Sequence, residues 1–518
     1  MFKLLTGSGP CPCCAYSQAA TAFPFARHSA WPLGVRFKSS VSVAAADPSA
    51  LFLDGGTVID PSTGDGLPRT GIAISHGRIL SVISGDTRGP QTGAERIDLT
   101  GKFVVPGYND MHSHVLELAD PSGSLALMLA EGVTGFRQMS GSPGLLAKRK
   151  TGTLPIGEAA PQLLQTSGSI LTPFNAGSPE IVRNEVRRQK SQGADFIKMG
   201  FASTEAFFAA LEEGRKLGIP VLGHLQEGTD PVEATAAGFR SIEHLGPGST
   251  VWVRCSTDED QLRAESYERS IIKAPPFKIP VLERLIMRKF QTMLVNPSAF
   301  AKPADVDRLD RAIGSFSHEK AVDMAGRFAS HASWQCPTLV RLRTQMHADE
   351  PEYERDEMLR YLPAKSAKRW REVTAKWKML PDAMRRTFHQ AYPRQLELTK
   401  LLVDSGVSFI VGTDGGSYLG PGLTLRQEFA ELANAGIAPL VILQMATVNA
   451  AKYLGRSVTM GTVETGKDAD LVILDADPRK DVGNLHRIAG VVRGGRYFSR
   501  SALDALAARV QTHHGILN

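Results

Sequence analysis

The first 46 residues contain no aspartate or glutamate; the first acidic residue is Asp47. Cysteine is scarce, with five in 518 residues, and Cys11, Cys13 and Cys14 fall in the first 14 positions. Cys255 and Cys336 alone cannot build a disulfide framework, so a reducing compartment is the default. The Cys-Pro-Cys-Cys cluster has no second ligand pair nearby, which argues against a zinc site there. No apolar run reaches 18 residues, so no membrane span is expected. Net charge is only +6, and no basic stripe carries interleaved aromatics, which argues against nucleic-acid binding. Neither Gly55-Gly56 nor Gly415-Gly416 is followed by Gly-Lys-Ser/Thr, so these are turn glycines and not phosphate loops.

What is present at the N-terminus is Ala, Ser, Phe and Pro with Lys3, Arg27, Arg36 and Lys38. An acid-poor, basic, Ser-containing segment has the composition of a transit peptide. A disordered extension or an early start codon would read the same way. Residues 1–49 are therefore set apart as an extension. The expected compartment is the cytoplasm, with the mitochondrion as the alternative.

Residues 50–105 read as short strands, such as Thr57-Val58-Ile59 and Ile79-Leu80-Ser81-Val82-Ile83, separated by Gly, Asp, Pro and His-Gly turn signals. Residues 456–500 have the same character, as in Leu471-Val472-Ile473-Leu474. Strands at both ends suggest a small β-sandwich assembled from the two ends, with 501–518 as a C-terminal helix or tail. Between them, 106–455 alternates short apolar strands with helical stretches such as Ala206 to Leu217 and Arg394 to Asp404. Strand–helix alternation over this length points to an α/β chain with a parallel sheet, most simply a (β/α)8 TIM barrel. Residues 256–330 and 341–393 are long, charged and partly helical. They read as insertions that either cover the barrel mouth or form surface helices.

Several predicted strands end in an ionisable residue, and catalytic groups occupy those ends in such barrels. His112-Ser113-His114 follows the apolar Phe103-Val104-Val105. Residues i and i+2 of a strand share one face, so both imidazoles point the same way. Chance alone gives a His-x-His pair in about one chain in three. Its weight comes from Lys198, His224, His244 and Asp414, which fall in order at later strand ends. Imidazole and carboxylate suit borderline divalent ions such as Zn²⁺. Four imidazoles and one carboxylate could hold two ions if something bridged them, and a lysine ammonium cannot be a ligand. Asp110 is placed to accept from His112 or His114 and orient it. Glu243 precedes His244 and by strand alternation points away from it, which fits a structural role. Arg341 and Arg343 follow the strand Ala332–Val340 and could pair with a substrate carboxylate. Ser417 and Tyr418 follow Asp414 and are candidates for the pocket lining.

Val-Pro-Gly-Tyr-Asn-Asp-Met-His-Ser-His (105–114), Glu-Gly-Val-Thr-Gly-Phe-Arg (131–137), Gly-Ala-Asp-Phe-Ile-Lys-Met (193–199) and Gly-His-Leu (223–225) appear in this order. They are followed by Ala-Gly-Phe-Arg-Ser-Ile-Glu-His-Leu-Gly (237–246), Gly-Thr-Asp-Gly-Gly (412–416), Ala-Thr-Val-Asn-Ala-Ala (446–451) and a Gly461 to Leu474 block. From Ala50 to Ser499 the chain resembles the metal-dependent amidohydrolase superfamily, nearest its branch of prolidase-like dipeptidases and ochratoxin-type amidases. The resemblance implies two divalent ions, with Zn²⁺ expected, and Lys198 carboxylated on its amine so that a carbamate bridges them. It implies that His112, His114 and Asp414 hold the buried ion and that His224 and His244 hold the exposed one. An ordinary lysine with a single ion is the alternative. Asp414 would also act as the catalytic acid–base.

The expected function is hydrolysis of an amide bond in a small molecule: an N-acyl amino acid, a dipeptide or an aryl amide of an amino acid, ochratoxin-like compounds included. Lactone, cyclic amide or phosphotriester hydrolysis at the same centre is the alternative. A non-catalytic barrel scaffold fits less well, because every implied ligand is present. The expected partner is the small-molecule substrate, with no nucleic acid and no membrane, and a homo-oligomer is expected.

Overall fold

The computed structural model describes residues 50–85, 94–246, 248–269, 295–415 and 421–516. The front of the chain supplies strands β1 (Ala50–Ile59), β2 (Gly66–Ser75), β3 (Arg78–Ser84), β4 (Glu95–Asp98) and β5 (Phe103–Pro106). The middle supplies β6 (Tyr108–Ser113), β7 (Val133–Gln138), β8 (Gln162–Thr166), β9 (Ile197–Met199), β10 (Val221–Gly223), β11 (Ser241–Glu243), β12 (Trp334–Cys336) and β13 (Ser408–Phe409). The back supplies β14 (Leu471–Leu474), β15 (Ile488–Arg493) and β16 (Arg496–Ser499).

Front and back strands meet in one sheet, ordered β16-β15-β14-β5-β1-β2-β3, with β4 also on β1. The apolar runs β5 and β14 pair antiparallel at its centre, Val105 opposite Val472. One face buries Leu53, Val58, Ile72, Ile74, Val104, Leu471, Ile473 and Val492 in a single cluster. The β2–β3 turn is His76-Gly77, both with positive φ (50° and 74°), as a tight two-residue hairpin requires. The expected sandwich of two sheets is seen as one hydrogen-bonded sheet. The reason lies in β1, whose register breaks around Gly56. Its first half runs parallel to β4 and its second half parallel to β5, so a single bent strand serves both sides.

The eight middle strands are all parallel to their neighbours. They lie in two sheets, β6-β7-β8 and β9-β10-β11-β12-β13. The sheets also touch at both seams. Ser167 bridges Phe196 and Leu171 bridges Met199 on one side, and Ser113 bridges Gly415 on the other. Met111 N donates to Val411 O and Asp414 N to His112 O, both at 2.8 Å. Several helices that follow these strands start on a capping residue followed by proline: Asp120-Pro121, Ser142-Pro143, Ser178-Pro179 and Asp230-Pro231. The cap oxygen satisfies an orphan N–H, and proline fixes φ where no N–H is needed.

The two charged stretches are largely helical where described, including Pro303–Gly314, His318–Ser330 and Ala364–Lys378. The helix expected from Arg394 begins earlier and runs Asp382–Asp404 through Pro393. Proline cannot donate to the helix ladder, so it reads as a break in sequence, while burial of Phe388, Ala391, Tyr392, Gln395 and Leu398 carries the helix across it. Among the described residues, no helix is long and apolar enough to cross a membrane.

Gly223 ends β10 with φ +129°, and a Cβ there would stand 2.3 Å from Met199 O and 3.0 Å from Lys198 Cδ. Gly223→Ala is expected to cost at least about 1–3 kcal/mol from backbone strain alone. Urea unfolding of the two proteins checks this; equal midpoints would contradict it.

Candidate metal centre

His112 is the penultimate residue of β6 with His114 just beyond the strand, Lys198 is the middle residue of β9, and His224 and His244 directly follow β10 and β11. Asp414 lies beyond β13. All six side chains are buried. The imidazoles cluster, with ring centroids 5.4 Å apart for His112–His114, 4.7 Å for His112–His244 and 5.1 Å for His224–His244. Asp414 Oδ1 lies 3.4 Å from His112 Nε2 and 3.2 Å from His114 Nε2. Lys198 packs over Gly223, next to His224. Burial and the nearby Lys198 charge hold His112 down to about 4 and His224 well below the usual imidazole range. Burial thus favours the neutral imidazole, the form that can ligate a cation.

Three of the rings are anchored through Nδ1. His112 Nδ1 meets Glu243 Oε2, His114 Nδ1 meets Ser140 Oγ and His244 Nδ1 meets Thr338 Oγ1, each at 2.6 Å. A carboxylate only accepts, so His112 carries its proton on Nδ1 and presents a bare Nε2. Among the described residues, His112 Nε2, His114 Nε2 and both oxygens of Asp414 are buried without a hydrogen-bond partner. One ligand atom from each of these three residues lies within 4.8 Å of the others. Each unsatisfied buried polar atom costs about 1–3 kcal/mol. A divalent cation would satisfy the convergent set, so the donors fit the implied metal. His112, Glu243 and Cys336 also bring one such atom each within 4.8 Å of one another. Glu243 is already paired there, and burial pushes the Cys336 thiol well above its ordinary value.

Glu243 does more than strand alternation suggested. Its Oε1 accepts from Arg137 at 3.0 Å and from Ser241 Oγ at 2.8 Å, while Oε2 holds His112. Burial would push its carboxyl up; the Arg137 guanidinium and His112 override this and hold it well below the carboxylate range. Arg137 also donates Nε to Met111 O (2.6 Å) and NH1 to Tyr453 OH (2.7 Å). His244 itself has left the strand, with φ 59°. The available signal was charge itself, a glutamate at the end of β11 and an arginine within β7, since buried charges come paired.

Asp110 touches no imidazole. It accepts from His112 N (3.1 Å), Thr413 N (3.2 Å) and Thr413 Oγ1 (2.7 Å), tying the end of β6 to the segment that carries Asp414. Burial pushes its carboxyl up to about 7. Arg341, expected at the substrate, is buried with Nε 3.3 Å from Asp414 Oδ2 and NH1 on Val295 O at 2.9 Å. Arg343 is not brought to the cluster. It pairs with Glu431 and Glu350 at 2.9 Å each and with Glu352. Positions two apart on a helix face different ways, and both arginines lie on the helix Leu339–Met346. Ser417 and Tyr418 lie outside the described residues. Of the seven described non-glycine residues with positive φ, His244, Leu245, Thr338 and Asp414 belong to this region. Such backbone strain clusters at functional sites.

Removing one partner of a buried ion pair costs about 3–5 kcal/mol, whereas removing both costs less. Glu243→Gln is expected to destabilise the chain by about 3 kcal/mol, with Arg137→Met in the same chain recovering part of the loss. Urea titration of the single and double variants measures this, and additive losses would contradict it. A second expectation concerns Glu428, whose Oε2 accepts from Val340 N at 2.7 Å at the start of the Arg341 helix. Burial pushes its carboxyl up from 4.5 to about 8. The folded state therefore holds this proton more tightly than the unfolded one. Its contribution is present below about 4.5 and lost as pH rises through about 8. Wild type should lose stability relative to Glu428→Gln between pH 5 and pH 8, read from urea midpoints across that range.

Residues 370–497 match the model of the Amidohydrolase family. Asp414 lies inside that span, and the four histidines and Lys198 precede it. The imidazolonepropionase of Fusobacterium nucleatum is 22% identical over 431 residues, 78% of this chain and 84% of the relative. Among solved structures, a bottromycin amidohydrolase is similar with a TM-score of 0.66 and 21% identity, over 91% of this chain and 92% of that one. A Xaa-Pro dipeptidase with bound methionine in its active site is similar with a TM-score of 0.56 and 17% identity, over 87% of this chain and 100% of that one. At these identities the structures share a fold with this chain, and the match to the Amidohydrolase family model is confined to residues 370–497.

Proposed function

We propose that this chain is a metal-dependent hydrolase that cleaves an amide bond in a small molecule, with an N-acyl amino acid, a dipeptide or an aryl amide of an amino acid as the substrate class. The observation that carries the proposal is the convergence of four buried atoms without a hydrogen-bond partner: His112 Nε2, His114 Nε2 and the two oxygens of Asp414. The similarity to an amidohydrolase and a dipeptidase supports the choice of bond. We read the eight parallel strands, joined at both seams, as a (β/α)8 barrel spanning 106–455, with the terminal sheet as a smaller unit built from 50–105 and 456–500.

In this reading His112, His114 and Asp414 would hold one divalent ion, with Zn²⁺ expected, and His224 and His244 would hold a second. Lys198, if carboxylated by CO₂ on Nζ, would supply an anionic carbamate as the further oxygen ligand that two ions require. When bound, such ions generate hydroxide at neutral pH and polarise a carbonyl oxygen. The chain's own residues do the rest. Glu243, Ser140 and Thr338 fix the rings so that their Nε2 atoms face inward. Asp414 accepts the proton of the attacking water at a carboxylate oxygen and passes it to the leaving amine. Arg341, against Asp414 Oδ2, keeps that carboxylate in position. Burial of the cluster excludes bulk water, which strengthens each of these interactions.

The test is metal content per chain together with hydrolysis of a panel of N-acyl amino acids and dipeptides, for wild type and Lys198→Ala. Lys198→Ala is expected to lose bound metal and at least about a hundredfold in activity. Unchanged metal content and activity would remove the bridging role. A wild-type chain inert on the whole panel would remove the amide assignment.

A further inference from the structure

His114 differs from His112 in how its Nδ1 is held. Its partner is the Ser140 hydroxyl, not a carboxylate. A hydroxyl can donate or accept, so Ser140 alone does not decide which ring nitrogen of His114 carries the proton. The surroundings of Ser140 do. Leu116 N donates to Gln138 Oε1 at 3.1 Å, which fixes the orientation of that amide. Gln138 Nε2 then faces Ser140, donating to its carbonyl at 2.9 Å and lying 3.4 Å from Oγ. The amide N–H thus occupies one lone pair of Oγ. On the far side of Oγ stands a carboxylate oxygen, Glu117 Oε2, within hydrogen-bond reach. Glu117 ends the one-turn helix Val115–Glu117 that follows His114, and its backbone N donates to His114 O at 3.2 Å.

Ser140 has one proton. If it pointed at His114 Nδ1, an Oγ lone pair would face the Glu117 carboxylate and both would repel. If it points at Glu117, the remaining Oγ lone pair accepts from His114 Nδ1–H, and all three groups on Oγ are satisfied. We propose that Glu117 is a positioning residue for the metal centre: through Ser140 it holds the His114 proton on Nδ1 and keeps Nε2 bare toward the cation. The proposal rests on the metal-binding reading above. Glu117 touches neither substrate nor metal; it acts two hydrogen bonds away. It thereby does for His114 what Glu243 does directly for His112, so both rings of the His-x-His pair are set by carboxylates.

The test is Co²⁺ binding to the full metal-stripped chain, measured by chelator competition at pH 8. Wild type, Glu117→Gln, Ser140→Ala, Ser140→Thr and the Glu117→Gln/Ser140→Ala double variant are compared, with thermal unfolding of each metal-free chain as the check on folding. Glu117→Gln and Ser140→Ala should each weaken the first Co²⁺ by about tenfold or more. The double variant should be no weaker than Ser140→Ala, because the two residues act in series. Ser140→Thr, which keeps the hydroxyl, should bind near wild type. Wild-type affinity in Glu117→Gln, or losses that multiply in the double variant, would overturn the role of Glu117 while leaving the metal reading intact. A wild-type chain that takes up no Co²⁺ would overturn both.

Discussion

The contact on which the centre depends is the pair formed by Arg137 and Glu243 beneath His112. A carboxylate this deep in the chain would be neutral if left alone, and a neutral acid could donate to His112 as readily as accept from it. The guanidinium 3.0 Å away keeps it ionised. Ionised, it can only accept, and the proton of His112 is fixed on the side away from Asp414. The same guanidinium binds Met111 O on β6 and Tyr453 OH from the helix Val448–Leu454. One buried cation thus joins two strands and a helix and also sets the protonation pattern of the first ring in the cluster.

A second organising element is the start of the helix Leu339–Met346. Thr338 precedes it in a left-handed conformation and holds His244. Val340 N is capped by the side chain of Glu428. Arg341 reaches Asp414. Within four consecutive residues this helix start contacts one ring, one capping carboxylate and the proposed acid–base. The left-handed backbone at Thr338, His244 and Asp414 costs free energy that packing elsewhere must supply. Each of these residues lies just past a strand, where the chain must turn a side chain inward that an extended backbone would send elsewhere.

Much of this was legible in the sequence because of periodicity. Short apolar strands that end in His, Lys or Asp announce themselves, and His112, His114, Lys198, His224, His244 and Asp414 do come together as a buried group. The anchors were not legible. Ser140, Thr338 and Glu117 are ordinary polar residues whose role exists only once distant segments meet. Glu243, expected in a structural role, anchors His112, a partner that strand alternation alone does not identify. Arg341 and Arg343 look equivalent in sequence, yet helical geometry sends one to Asp414 and the other to Glu350, Glu352 and Glu431. The bend in β1 that makes one sheet where two were expected follows from a register break at glycine, which local composition marks as a turn but not as a bend within a strand.

The terminal sheet has a consequence for how the chain is made. β5 sits at its centre and finds its partner, β14, only at the other end of the sequence. When the ribosome has released the front strands, the edge of β5 that β14 will cover still faces solvent, and it stays so until nearly all of the chain has emerged. An apolar strand with an open edge is the kind of surface that associates with other chains. The sheet can therefore be completed only once β14 has emerged, and that step joins the segment before the metal-centre region to the segment after it. A truncation that removed β14 would leave the front strands without the neighbour around which they are built, even with every residue of the metal centre still in place.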